Sequence, residues 1–148
     1  VAADSHPQRL ERIAPGASRL GLSIIDPLLV AESGEDLPTG PFDAVLVDVP
    51  CSNTGVLGKR PEARWRLKPG EPQRLAGLQL RLLEQAAGKL APGGRLVYST
   101  CSIEPIENEE LVARFLARRP RFTVHEVLEH VPGRPADGGF QALLARQD

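Results

Sequence analysis

Two cysteines fifty positions apart are the only thiols in the chain, and each sits in a distinctive short context. Cys51 lies in Asp48-Val49-Pro50-Cys51-Ser52-Asn53-Thr54-Gly55, directly after the apolar run Ala44-Val45-Leu46-Val47. Cys101 lies in Tyr98-Ser99-Thr100-Cys101-Ser102, directly after Arg95-Leu96-Val97. Both fall at the carboxyl ends of predicted buried strands, where open α/β sheets place their ligands and chemistry. Two thiols bordering one crevice, with the Asp48 carboxylate at its wall, suit a reaction that adds sulfur to a base and later releases it.

Carbon 5 of cytosine is such a case, because it is too poor a nucleophile to take a methyl group unaided. A thiolate adding to carbon 6 converts the ring into an enamine and makes carbon 5 electron-rich, splitting one hard step into easier ones. A carboxyl group that protonates or hydrogen-bonds N3 or N4 would aid the addition. The carbon 5 proton must then leave and the sulfur be eliminated, a release that a second thiol could assist. The bland alternative for each cysteine is a small buried hydrophobe at a strand end. A zinc site finds no support, since neither Cys-x-x-Cys nor a close Cys/His pair exists; His6, His125 and His130 read as surface or strand histidines.

The elements that must position these thiols alternate between strand and helix. Val1 to Ala3 is an apolar stub ending in Asp4, and Ser5 and Pro7 open a helix that Pro15-Gly16 interrupts. Ser23 to Asp26 reads as a second strand ending in an acid. Phe42 to Val49 is the clearest strand, a continuous apolar run of the kind buried on both faces. Pro50 to Gly70 is irregular, and loops of that length inside a compact domain usually carry function or are disordered. A helix follows over 71–90 with Leu75, Leu78, Leu82, Ala86 and Leu90 on one stripe, stopped by Pro92-Gly93-Gly94.

Arg95 to Thr100 is the strand that ends at Cys101. The helix over 105–118 has acids at its start (Glu104, Glu107, Glu109, Glu110) and arginines at its end, matching the macrodipole. Leu111, Val112, Phe115 and Leu116 form its buried face. Phe122 to Glu129 and Phe140 to Ala145 are the last two strands, and no helix fits between them, so they pair antiparallel. This is an α/β doubly wound sheet closed by a C-terminal β-hairpin. The order implies a first strand and glycine loop upstream of Val1, and the absence of methionine from the 148 residues reads as a fragment.

That length is one domain's worth of chain, and 41% apolar with 25% charged residues fits an ordinary globular protein. A net charge of −1 gives no global attraction to nucleic acid, so any such binding must be local. No apolar run is long enough to span a bilayer and no export signal is seen, which favours the reducing cytoplasm over a disulfide. The segment from Val56 to Arg74 carries Lys59, Arg60, Arg64, Arg66, Lys68 and Arg74 against Glu62 and Glu71, a local surplus of four positive charges. Cations hold phosphates and Trp65 among them could stack on a splayed base; the alternatives are a solvated loop and a tryptophan tucked against the core.

Both cysteine contexts resemble the motifs of the RNA cytosine-5 methyltransferase family, which includes bacterial small-subunit ribosomal RNA enzymes. Asp48 to Val56, followed by Lys59-Arg60-Pro61-Glu62 and Trp65, is similar to that family's fourth motif. Tyr98 to Glu104, with Glu107-Asn108-Glu109, is similar to its sixth, and Leu90-Ala91-Pro92-Gly93-Gly94 also fits. The resemblance covers nearly the whole chain. It implies a Rossmann-like, S-adenosylmethionine-dependent methyltransferase sheet, with residues 1–148 forming part of one catalytic domain that lacks its amino-terminal cofactor loop and a separate RNA-binding domain.

By the same resemblance Cys101 is the nucleophile and Cys51 the thiol that helps resolve the adduct. DNA cytosine-5 methyltransferases attack with their Pro-Cys thiol, so an exchange of roles stays open. An unactivated thiol has a pKa of ~8.5, so a cation near the nucleophile is expected. Asp4, Asp26 and Asp48 fill the three strand-end acid positions, the first two toward the cofactor and Asp48 toward both cofactor and reacting centre; a helix cap for Asp4 and a turn acid for Asp26 are the alternatives.

Lys59, Arg60, Arg64 and Trp65 are the implied RNA contacts, to a cytosine that is single-stranded or flipped from its stack. No membrane and no obligate protein partner is implied. Two departures from the family pattern stand out: Asn53 where glycine is common, and Val49 where alanine or proline is common. Two other readings stand beside it, a non-catalytic RNA-binding remnant and an amino-group methyltransferase. The latter typically shows Asn/Asp-Pro-Pro-Tyr where this chain has Asp-Val-Pro-Cys.

Overall fold

The computed structural model describes residues 1–133 and 136–148, in two compact units, Val1–Gly40 and Pro41–Asp148. In the first unit, β1 (Ala2–Asp4) and β2 (Pro27–Leu29) pair in parallel, with α1 (Pro7–Leu10) and α2 (Ile13–Arg19) between them in sequence. The helical break falls at Glu11-Arg12 rather than at Pro15-Gly16. Pro15 lies in the first turn of α2, where its missing N–H leaves no intrahelical bond unmade.

The second strand is also displaced from the expected Ser23–Asp26. It begins at Pro27, and Asp26 precedes it, its carbonyl accepting the Ala2 N–H at 2.8 Å. Ile24 is 85% exposed, so the apolar pair that suggested a strand is not what the unit buries.

The second unit is a four-stranded sheet in the order β3 (Phe42–Asp48), β4 (Leu90–Thr100), β6 (Gly139–Arg146), β5 (Phe122–His130). β3 and β4 are parallel and joined through α4 (Glu71–Ala87); β4–β6 and β6–β5 are antiparallel, as the missing helix between the last strands requires. Leu96 and Tyr98 of β4 and Phe140, Ala142 and Leu144 of β6 alternate toward one face. Leu80, Leu83 and Ala87 of α4 and Leu111, Val112 and Phe115 of α5 (Glu109–Arg118) complete that core. Phe115 meets Phe122 edge-on at 5.2 Å, fixing the start of β5 against α5.

Four expectations change here. β3 is not buried on both faces: Val45 and Val47 lie on the side of Leu96 and Tyr98, which α4 and α5 cover, whereas Leu46 points to the other side of the sheet and is 68% exposed. α4 ends at Ala87, and Leu90 opens β4 instead of closing the helix. Leu75 and Ala86 are buried as expected, but the stripe of α4 is completed by Ala76, Gln79, Leu80, Leu83 and Ala87, with Leu78 and Leu82 only half-buried. A polar residue in the middle of that stripe, Gln79, hid its true centre. The helix expected over 105–118 starts as a single 3-10 turn, Pro105–Glu107, which breaks at Asn108 before α5.

Candidate active site

Parallel pairing decides where the thiols meet. Asp48 lies opposite Ser99, so β3 and β4 deliver their carboxyl ends to the same edge of the sheet. The Val49 N–H donates to the Ser99 carbonyl at 3.2 Å, carrying the pairing past the last strand residue. The loops that leave this edge place the Cys51 and Cys101 sulfurs 3.2 Å apart.

Gly55 locks the two loops together by its backbone. Its N–H donates to the Cys101 carbonyl at 3.0 Å, and its carbonyl accepts the Gly138 N–H at 2.8 Å. A Cβ on residue 55 would lie 2.5 Å from the Gly138 oxygen and 2.8 Å from the Cys101 oxygen. Real Cβ atoms do not approach backbone oxygen so closely, so this position of the motif requires glycine.

Beneath the cysteines lies a buried polar knot centred on Glu107. The carboxylate accepts hydrogen bonds from the Ser52 N–H (3.0 Å), the Ser52 hydroxyl, the Ser102 hydroxyl (2.6 Å) and Gln79 Nε2 (2.8 Å). Ser52 follows Cys51 and Ser102 follows Cys101, so one side chain holds both loops. Gln79 Nε2 also donates to the Pro50 carbonyl at 2.9 Å, which explains its place in the buried stripe of α4. The Thr100 hydroxyl donates to Asn108 Oδ1, and Asn108 Nδ2 donates to the Ser102 carbonyl. Tyr98, whose hydroxyl donates to the Glu107 carbonyl, has its pKa raised by burial and by the nearby Glu107 and Cys51. The sequence marks Glu107 as a first-turn acid and as part of the Glu107-Asn108-Glu109 run of the motif resemblance, but it carries no sign that Glu107 is buried and holds both loops.

The two thiols differ electrostatically. A hydrogen bond from Cys51 holds the Cys101 pKa down, to about 7, with the Arg60 charge helping and burial and Asp48 opposing. The Cys51 pKa is raised, first by its hydrogen bond with Cys101 and then by burial. Cys101 is the more exposed of the two, so the negative charge is favoured on the sulfur nearer to water. Arg60 is the cation that the sequence left unnamed.

Asp48 stands exposed at the end of β3, close enough for its charge to act on Cys101. A cavity of about 200 Å³ opens beside Cys51, walled by Ser52, Asn53, Arg60, Glu62 and Arg66 among others. Cys101 and Asp48 are not among its walls, so the shared crevice expected from the sequence is shared by contact of the sulfurs rather than by one enclosing cavity.

The cationic segment follows at once. Arg64 and Trp65 lie on α3 (Ala63–Arg66), and Trp65 is 85% exposed, not tucked against the core. Arg60 and Arg64 are exposed as well, whereas Lys59 pairs with Asp137 at 2.7 Å and Arg74 with Glu71 at 2.6 Å.

In the first unit Asp4 ends β1. Slight burial works against its charge, but the His6 N–H (2.8 Å) and the Arg9 and His6 side chains outweigh it and lower the pKa. Asp26 is exposed ahead of β2, so the acids that follow this strand are Glu32, Glu35 and Asp36.

The sheet, its crossover helix and the chemistry gathered at the strand ends define a Rossmann-like methyltransferase fold. The chain matches the family described as 16S rRNA methyltransferase RsmB/F over residues 1–141, and it belongs to that family. It is 38% identical over 121 residues to a probable ribosomal RNA small subunit methyltransferase B of Bacillus subtilis, covering 80% of this chain and 27% of the relative. It is 37% identical over 155 residues to ribosomal RNA small subunit methyltransferase B of Vibrio vulnificus, covering 99% of this chain and 36% of that one.

Among solved structures, PH0851 superposes with a TM-score of 0.88 at 35% identity, over 97% of this chain and 36% of that one. NSun6 from Pyrococcus horikoshii with SFG superposes at 0.85 and 25% identity, over 99% of this chain and 41% of its own length. The chain thus spans about a third of the length of the relatives it matches.

Proposed function

We propose that this chain is the carboxyl-terminal part of the catalytic domain of an S-adenosylmethionine-dependent enzyme that methylates carbon 5 of cytosine in ribosomal RNA. The observation that carries the reading is the pair of sulfurs 3.2 Å apart, one of them favoured as thiolate. Cys101 Sγ adds to carbon 6 while Asp48 hydrogen-bonds the N3/N4 edge, and the electron pair moves to carbon 5. When bound, S-adenosylmethionine supplies an electrophilic methyl group to that carbon. Cys51, held protonated by its hydrogen bond with Cys101 and by burial, loses its proton to water only after the attack has consumed the Cys101 charge. As a thiolate it then takes the carbon 5 proton, and the electron pair of that C–H bond forms the ring double bond and expels Cys101 Sγ as thiolate.

Asp4 fits the cofactor's ribose: it is a strand-end carboxylate whose charged form is favoured, and among the described residues its Oδ2 has only a 3.6 Å ion-pair contact with Arg9. Asp26 and Asp48 are the other proposed cofactor contacts, Asp26 on the family resemblance alone. Arg60, Arg64 and Trp65, all exposed, meet the RNA, with Lys59 joining once it leaves Asp137. The target cytosine is single-stranded or flipped, because a stacked base hides carbon 6. Both units belong to one catalytic domain, a reading supported by a family match that runs unbroken across them. Among the described residues no helix is long and apolar enough to cross a membrane, and two free thiols in contact suit the reducing cytoplasm.

The test is covalent trapping on 16S RNA carrying 5-fluorocytosine, using the full-length protein. Fluorine blocks loss from carbon 5, so a stable protein–RNA adduct is expected with the native protein and none with Cys101→Ala. Cys51→Ala should still form adducts, and on ordinary cytosine it should accumulate them. An adduct that persists in Cys101→Ala would overturn the assignment.

A further inference from the structure

Asn53 occupies the position where the family pattern commonly has glycine, and it does more than fill the turn. Its backbone is left-handed (φ 61°), a conformation asparagine tolerates better than other side-chain-bearing residues. Its Nδ2 donates to the Cys51 carbonyl at 2.8 Å, and its Oδ1 lies 3.0 Å from Cys101 Sγ. The first contact fixes the orientation of the amide, because a carbonyl can only accept and the NH₂ must face it. The oxygen therefore faces the sulfur, and only a protonated thiol can donate to it.

We propose that Asn53 is a positioning residue whose amide oxygen, by accepting a hydrogen bond from the Cys101 thiol, aims Sγ and opposes formation of the thiolate until that hydrogen bond is broken. The proposal rests on Cys101 being the nucleophile. Among the described residues, the charged and titratable groups acting on Cys101 are Cys51, Asp48 and Arg60. Cys51 and Arg60 favour the thiolate; Asp48 opposes it, and Asn53 joins Asp48. A glycine here would offer no acceptor, so the thiolate would form more readily and its direction would be less constrained. The amide thus acts as a restraint on a nucleophile that its neighbours already activate, relieved when substrate displaces the side chain.

Alkylation of Cys101 by iodoacetamide, followed across pH by peptide mass spectrometry in the full-length protein, reads this directly. Removing one neutral acceptor in Asn53→Gly should lower the midpoint by roughly half to one pH unit. Asn53→Asp, which sets a carboxylate against the sulfur, should raise it. Midpoints equal to the native one in both variants, or an upward shift in Asn53→Gly, would overturn the proposal. The readout needs no RNA, so such a result leaves the methyltransferase reading standing, whereas failure of 5-fluorocytosine trapping would not move these midpoints.

Discussion

The residues after β3 divide into two stretches built on opposite principles. From Cys51 to Gly55, Ser52, Asn53 and Thr54 each hydrogen-bond across to the Cys101 loop or to Glu107, and Gly55 is pinned by backbone on both sides. From Arg60 to Lys68, Arg64, Trp65 and Arg66 reach into solvent. Attack on one ring carbon tolerates errors of a fraction of an ångström, so the thiols need a rigid, satisfied support. Phosphates and stacked bases are held by charge and flat surface, which tolerate adjustment. One segment therefore supplies both a fixed reaction centre and an adaptable surface.

The largest effect should come from the support. Glu107→Ala removes the acceptor of four buried hydrogen bonds, and the stranded donors should cost about 3–5 kcal/mol in urea unfolding. If the loss is under about 1 kcal/mol, the knot is not what holds the loops. Gly55→Ala should cost about 1–3 kcal/mol, because the new methyl forces the Cys51 loop away from the Cys101 and Gly138 carbonyls. Adduct formation should fall more than stability alone explains, since the same shift parts the sulfurs. Trp65→Ala should behave oppositely: unfolding unchanged within about 0.5 kcal/mol, RNA affinity weakened by about 1–3 kcal/mol. A destabilised Trp65→Ala protein with native RNA affinity would erase the contrast between the two stretches.

Much of this contrast was legible in the sequence, and the exceptions have physical reasons. The strand-end cysteines, the closing hairpin and the buried face of α5 follow from alternation, helical spacing and the missing crossover helix. The stripe of α4 was displaced because Gln79 is buried for a hydrogen-bonding task that hydropathy cannot show. β3 reads as an inner strand by composition, yet Leu46 is exposed because burial depends on neighbours rather than on the strand itself. Ile24-Ile25 imitate a strand that would end at Asp26, while the pairing starts at Pro27. The cysteine contexts point to the atoms proposed to react. Glu107 and Asn53 stayed hidden because their roles exist only once two loops fifty residues apart are in contact.

The division of labour between the two sulfurs is tested most directly by locating the trapped base. After reaction of the full-length protein with 5-fluorocytosine RNA, nuclease and protease digestion and mass spectrometry should find the modified nucleotide on the peptide containing Cys101. Its yield should rise with pH through about 7, as the thiolate forms. A nucleotide attached to the Cys51 peptide would reverse the roles of the two thiols and contradict the account.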